Sequence, residues 1–162
     1  MSKEIGSEAA DFSILYKWSE GTVPPPYYYE FTIRIGPGKQ GSIEFLPDYP
    51  MHDPLMWAET FDIDEGDLNR LHALMAEKGV FTASWTEVAD PPVGGSLEWM
   101  EVTVGEERFL VPSTIEEKET VRDVYRTINS LVPERIRDKL MAQREEFERT
   151  YLENESHNRD GE

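Results

Sequence analysis

Apolar and polar residues alternate along the first part of the chain. In the segment DFSILYKW, every second residue is apolar: Phe12, Ile14, Tyr16 and Trp18. A two-residue period places successive side chains on opposite faces of a strand, so the segment is predicted to form a half-buried strand. Residues 27–46 repeat the pattern on both sides of the turn GPGKQG. We therefore predict a β-hairpin there.

The segment TVPPPYYYEFTIRIG, residues 22–36, leads into this hairpin. Tyr27 and Tyr29 share the parity of the apolar strand residues, whereas Tyr28 has the opposite parity. We therefore expect Tyr28 to be free to contact a ligand or a partner. The letters PPPY also match the PPxY peptide that WW domains bind. Such a ligand must be exposed, and the predicted burial of Tyr27 favours a rigid strand entry instead.

The middle of the chain is predicted to contain a short strand, a helix and a second pair of strands. A short strand around residues 58–63 precedes a helix that is capped by Asp64 and ends at Gly79. The segments LEWMEVTV and FLVP then alternate on either side of a short turn. They predict a second β-hairpin.

Two helices are predicted near the C-terminus. Ser113 and Glu116 have the spacing of a capping box ahead of a regular apolar stripe, as do Thr114 and Glu117. Pro133 suits the first turn of a second helix over 134–152. The apolar positions of that last helix are sparse, so we expect it to protrude or to lie in a subunit interface. The polar residues 153–162 are predicted to form a disordered tail.

These elements predict an α+β fold. Its antiparallel sheet is built from hairpins, and one central helix and two C-terminal helices pack on one face. A length of 162 residues suits a single core. We therefore expect one domain, which spans residues 1–152.

The charge is strongly acidic, with 33 acidic and 16 basic residues and a net charge of −17. Residues 1–112 alone hold 20 acids and 7 bases. Direct binding to nucleic acid or to anionic membranes needs clustered Lys and Arg, so we expect neither. Solubility or adaptation to a salty cytoplasm is the preferred explanation of the surplus, and a docking face for a basic protein, or imitation of the charge of a nucleic acid, is the functional alternative. A cytoplasmic location is expected because the sequence shows no apolar membrane segment, no secretory signal and no cysteine.

The loop over residues 47–57 is the strongest candidate for a binding site. His52 and Asp53 are neighbours in it and Trp57 ends it, with Tyr28 at a nearby strand start. A histidine beside an acid and aromatic side chains could bind a small molecule or transfer protons near neutral pH. No motif for a metal, a cofactor or an activated nucleophile emerges, and we expect no metal and no cofactor.

Protein contact is therefore the leading hypothesis for function. We expect a non-enzymatic interaction or regulatory domain, and a homodimer in which the apolar residues Phe147, Tyr151 and Leu152 lie in the subunit interface. One alternative is a small-molecule binder or an enzyme that uses the 47–57 loop. Another is an acidic inhibitor that imitates a nucleic acid, which requires the carboxylates of residues 44–107 to form one face.

Overall fold

The structure, a computed structural model, describes residues 12–51, 53–91 and 94–160. Within these ranges six strands form one sheet: β1 Phe12–Ser19, β2 Glu30–Ile35, β3 Gln40–Leu46, β4 Trp57–Asp62, β5 Leu97–Val104 and β6 Glu107–Val111. The same ranges contain three helices: α1 Glu65–Glu77, α2 Lys118–Ser130 and α3 Glu134–Asp160. The predicted α+β class, with its antiparallel sheet, one central helix and two C-terminal helices, is confirmed.

The sheet has the strand order β4-β3-β2-β1-β5-β6, and every neighbouring pair is antiparallel. The first strand therefore lies in the middle of the sheet. Tyr16 of β1 pairs with Ile33 of β2 on one side and with Met100 of β5 on the other. Strands β4 and β6 form the two edges.

One face of the sheet, which we call the inner face, carries the core. Cross-strand pairing aligns the alternating apolar residues of neighbouring strands, so that they form continuous rows across the sheet. The large, fully buried side chains of these rows include Phe12, Tyr16, Ile33, Ile35, Phe45 and Met100. Burial of such side chains stabilises the fold by about 1.5–3 kcal/mol each.

All three helices contact this inner face. In α1, the His72 ring meets the Phe12 ring edge-on, with 5.5 Å between ring centroids. The α2 residue Tyr125 packs on Tyr16, with 5.2 Å between centroids. In α3, Lys139 forms a salt bridge with Glu59 of β4, which pairs with Ile43 on the inner face.

The predicted start of the first hairpin is wrong. Strand β2 begins at Glu30, because the Tyr27 N–H donates to the Pro24 carbonyl oxygen at 3.0 Å and closes a turn there. The alternation therefore cannot be extended back through the tyrosines. Tyr27, expected to be partly buried, is 45% exposed, whereas Tyr28, expected to be free, is buried.

The predicted capping box of Ser113 and Glu116 is also wrong. The Glu116 N–H instead donates to the Thr86 carbonyl oxygen at 2.9 Å, and the Glu117 carboxylate accepts the Thr86 N–H at 3.1 Å. These groups are used in pairing with a distant segment, so α2 begins only at Lys118.

The last helix is longer than predicted. It runs without a break to Asp160, so the predicted tail is wrong for residues 153–160, and residues 161–162 lie outside the described ranges. Opposite charges three and four residues apart support the polar half of the helix, as in the pairs of Arg149 with Glu146 and of Arg144 with Glu148. This charge spacing stabilises a helix even where the apolar stripe is weak.

Gly41 of β3 provides a test of inner-face packing. A Cβ atom at this position would lie only 2.6 Å from Phe61 Cζ and 3.1 Å from Ile63 Cδ1. We expect Gly41→Ala to lower the free energy of unfolding by about 1–3 kcal/mol, because the Phe61 ring fills the space above the glycine. Chemical denaturation measures the change.

A double-mutant cycle with Phe61→Leu identifies the cause. The smaller leucine makes room for the new methyl group, so Gly41→Ala should cost less in the Phe61→Leu background, with a coupling of at least about 1 kcal/mol. Additive effects of the two substitutions would contradict the packing explanation.

Candidate functional site

The structure separates the residues of the predicted binding loop. The Trp57 ring stacks on Phe45 at the inner face, with 5.6 Å between centroids and 10° between ring planes. Tyr28 instead contacts Glu30, whose position alternates with the inner-face residues and so lies on the opposite, outer face. Asp53 is exposed and has a φ of 50°, and His52 lies outside the described residues. Trp57 and Tyr28 therefore do not line a common site.

Tyr28 belongs to a buried cluster that fixes the tyrosine-rich loop on the outer face. Its ring stacks on Tyr49, with centroids 3.8 Å apart, and its hydroxyl donates to Glu30 Oε2 at 3.2 Å. Lys17 Nζ lies 3.1 Å from the same carboxylate oxygen. Burial, and then the Glu30 charge, raises the pKa of Tyr28. The phenol stays protonated and acts as a donor that stabilises this loop.

The predicted interface residues lie along α3. The rings of Phe147 and Tyr151 are 6.3 Å apart, and Leu152 is exposed one residue further on. Phe147 also lines an open groove between α3 and the edge strand β4, which we call the β4–α3 groove. Its lining includes Trp57, Lys139, Ala142, Glu146, Phe147 and Thr150. Two residues predicted for different roles, Trp57 and Phe147, thus line one surface.

Exposed apolar side chains lie in the segment of the chain that leads to Trp57 and the β4–α3 groove. Met51 is 74% exposed, and Leu55 and Met56, which directly precede Trp57, are about half exposed. Large exposed apolar side chains in a segment that leads to a groove with an aromatic wall are typical of surfaces that bind other proteins.

A more enclosed cavity lies on the other side of α3, against the sheet. Its volume is about 240 Å³, and we call it the α3–sheet cavity. Its apolar wall includes Tyr29, Phe31, Phe45, Ile33, Ile43 and Leu140. The sequence does not predict this cavity, because the spacing of apolar residues does not show where a helix leaves the sheet uncovered.

A buried polar cluster adjoins the α3–sheet cavity through Asn129, which lines the cavity. Asn129 Nδ2 donates to the Tyr16 hydroxyl at 3.2 Å and to the Tyr125 carbonyl oxygen at 2.8 Å. The Tyr16 hydroxyl in turn donates to Glu98 Oε2 at 2.5 Å. Burial first, and then the hydrogen bond to Glu98, raises the pKa of Tyr16. The phenol is therefore a neutral donor at physiological pH.

Two arginines of α3 stand beside the α3–sheet cavity. Arg137 is part of its lining and donates to the Asn129 carbonyl oxygen. The Arg144 guanidinium lies over the Tyr29 ring, 4.3 Å from its centroid, and donates to the Tyr27 carbonyl oxygen at 3.4 Å. The cavity therefore combines apolar walls with one arginine in its lining, and a second arginine lies over Tyr29, a residue of its wall.

Two of the acidic residues lie on opposite faces of the sheet. Glu44 of β3 lies on the outer face and binds Arg34, whereas Glu59 of β4 lies on the inner face and binds Lys139. These two carboxylates therefore do not belong to one face, and the nucleic-acid mimic stays a prediction.

The described ranges contain no cluster of three His, Asp or Glu side chains that could hold a metal ion. In the same ranges, no helix combines the length and the apolar character needed to cross a membrane. No protein-family model matches the chain, and the comparison with curated proteins gave no match.

Tyr125 provides a pH-dependent test of the polar cluster. Its hydroxyl is buried and has no hydrogen-bond partner among the described residues, and burial, then the charge of Glu98, raises its pKa. The neutral phenol is thus favoured in the folded state. The folding stability that this preference contributes is fully present below about pH 10 and is lost as the pH rises further. The variant Tyr125→Phe removes this titration.

We expect Tyr125→Phe to unfold with unchanged or slightly higher free energy at pH 7, by up to about 1 kcal/mol, because an unpaired buried hydroxyl is removed. Above about pH 10 its stability should fall less steeply than that of the wild type, by about 1.4 kcal/mol per pH unit. Urea denaturation across this range measures the difference. Parallel pH profiles of the two proteins would contradict the burial of an ionisable phenol.

Proposed function

We propose that this chain is a non-enzymatic, cytoplasmic protein-interaction domain that pairs with a second copy of itself through the β4–α3 groove and the exposed apolar residues beside it. The observation that carries this proposal is the groove that Trp57 and Phe147 line, together with the exposure of Leu55 and Met56, which directly precede Trp57 in the chain, and of Met51. Burial of these side chains in an interface would supply the free energy of association.

The charge of α3 supports a second copy as the partner. The helix holds 8 acidic and 6 basic residues, out of 33 and 16 in the whole chain. Its surface is therefore nearly balanced, whereas the remainder of the chain is strongly acidic. Two identical acidic chains repel each other least where they meet along α3.

The shape of α3 supports the same partner. Its 27 residues extend over about 40 Å, and residues 152–159 are exposed on every side. An unpacked helical end is only marginally stable in water. A second copy that covers Tyr151 and Leu152 would stabilise this end, and the predicted interface residues would then lie in a subunit interface.

Leu55 and Leu110 form a matched pair for testing this surface. They are 51% and 54% exposed, but Leu55 precedes the edge strand β4 and Leu110 lies in the opposite edge strand, β6. We expect the wild type to be a dimer in light scattering at micromolar concentration. Leu55→Asp should raise the dimer dissociation constant at least tenfold, because a buried charge opposes association. Leu110→Asp should leave it unchanged.

Thermal unfolding of both variants shows whether they are folded. A wild type that is monomeric at high concentration would contradict the proposed dimer. An equal effect of both substitutions would contradict the assignment of the interface to the β4–α3 groove.

Salt distinguishes self-association from binding to a basic protein. Each copy carries a net charge of −17, so salt should screen the repulsion between copies and tighten the dimer. We expect the dissociation constant to fall about threefold or more between roughly 0.05 and 0.5 M salt. Sedimentation equilibrium at several salt concentrations measures it.

The acidic surplus outside α3 favours a basic protein as an additional partner. Binding of that partner should weaken over the same salt range, because screening then reduces an attraction. A dimer that also weakened with salt would contradict the view that the copies meet where charge is balanced.

A further inference from the structure

The walls of the α3–sheet cavity suit an aromatic ring. The rings of Tyr29 and Phe45 are stacked with centroids 5.4 Å apart and planes 16° apart, and those of Phe31 and Phe45 are 6.4 Å apart and nearly parallel. Offset stacking at such distances is the favourable arrangement for aromatic groups. Leu140 of α3 closes the cavity from the helix side.

The volume limits the size of a ligand. An engineered apolar cavity of roughly 150 Å³ binds benzene, whereas most ligand pockets span roughly 300–1,000 Å³. A volume of about 240 Å³ therefore suits one aromatic ring with a short substituent. A longer lipid chain or a nucleotide would not fit.

Arg144 provides an incompletely bonded cation over the ring of Tyr29, a residue of the cavity wall. Its side chain is only 19% exposed, and its Nε is buried without a hydrogen-bond partner among the described residues. The bond to the Tyr27 carbonyl oxygen is long, at 3.4 Å, and Glu148 Oε2 lies 3.7 Å from Nη1. A guanidinium has five N–H donors, so most of its capacity is left for an anion.

Asn129 provides the cavity with a hydrogen-bond acceptor. Asn129 uses both hydrogens of Nδ2 on Tyr16 and Tyr125, so its carbonyl Oδ1 is the atom that could accept a hydrogen bond from a ligand. An anionic group would therefore bind towards the arginines, and a hydroxyl or an N–H would suit the Asn129 end.

We propose that the α3–sheet cavity binds a small aromatic monocarboxylic acid, with its ring between α3 and the aromatic wall of β2 and β3 and its carboxylate on Arg144. Arginine binds carboxylates through two parallel hydrogen bonds, and a partly desolvated site strengthens them. Arg137, which lies two turns earlier on the same helix and lines the cavity, adds a second positive charge. The cavity and the β4–α3 groove share no lining residue, so ligand binding and dimer formation can be tested separately.

Phenylacetate and its neutral analogue phenylacetamide test the proposal on the full chain. We expect phenylacetate to bind with a dissociation constant on the order of 0.1–1 mM, as befits a ligand of about ten non-hydrogen atoms. Phenylacetamide should bind at least tenfold more weakly. In NMR spectra, the methyl signals of Met141 and Ile43, which line the cavity, should shift on titration.

Two pairs of variants locate the site. Arg144→Gln should weaken phenylacetate at least tenfold and change phenylacetamide little, whereas Arg149→Gln, on the same helix with a side chain 65% exposed, should change neither. Met141→Trp should abolish binding of both probes by filling the cavity from its exposed border. Met56→Trp, at another exposed methionine, should have no effect.

Several results would overturn the proposal. Equal affinity for the acid and the amide would show that no anion site exists, and so would unchanged binding by Arg144→Gln. Binding that survives Met141→Trp, or that leaves the Met141 and Ile43 signals in place, would assign the ligand to another surface. Absence of binding by either probe at about 10 mM would show that the cavity does not accept this class of ligand.

Discussion

The hydrogen bonds of Tyr16 join the sheet to the C-terminal helices. This residue lies in the middle of the central strand, packs against Tyr125, and is almost completely buried. A buried phenol must find an acceptor, and Glu98 on the neighbouring strand β5 provides it. Asn129 donates to the same hydroxyl from the last turn of α2. The end of α2 is thereby held over β1, which fixes where the chain turns into α3.

The position of α3 then determines both surfaces for which we propose functions. From the turn after α2, the helix crosses the inner face over β2 and β3 and buries Ile136 and Leu140. One flank faces the aromatic residues of those strands and leaves the α3–sheet cavity. The other flank faces Trp57 at the edge strand and leaves the β4–α3 groove. A change that tilted α3 would therefore alter the cavity and the groove together.

The sequence predicted the parts of the fold that depend on local periodicity. The alternation from Phe12 to Trp18 identified β1 and its inner face, and the two hairpins followed from apolar alternation on either side of glycine turns. The same reasoning failed at Tyr27 and Tyr28, because a turn closed by Pro24 changes the direction of the side chains before the strand begins. Parity is informative only within one uninterrupted strand.

The candidate sites were predictable only in part, for a related reason. Trp57 and Phe147 were each identified from their own segment, but their meeting in one groove depends on a contact between residues 90 positions apart in the chain. The α3–sheet cavity depends in the same way on the lateral position of a helix, which the 3.6-residue period does not specify.

The distribution of charge connects these surfaces to the acidity of the chain. On the outer face, the acids Glu30 and Glu44 are paired with Lys17 and Arg34, which offsets part of the acidic charge there. The last helix holds more than a third of the basic residues; of these, Arg137 lines the cavity and Arg144 lies over Tyr29 in its wall. The charge of this helix is nearly balanced, whereas the remainder of the chain is strongly acidic. An anion or a second acidic chain therefore meets the least electrostatic repulsion along α3.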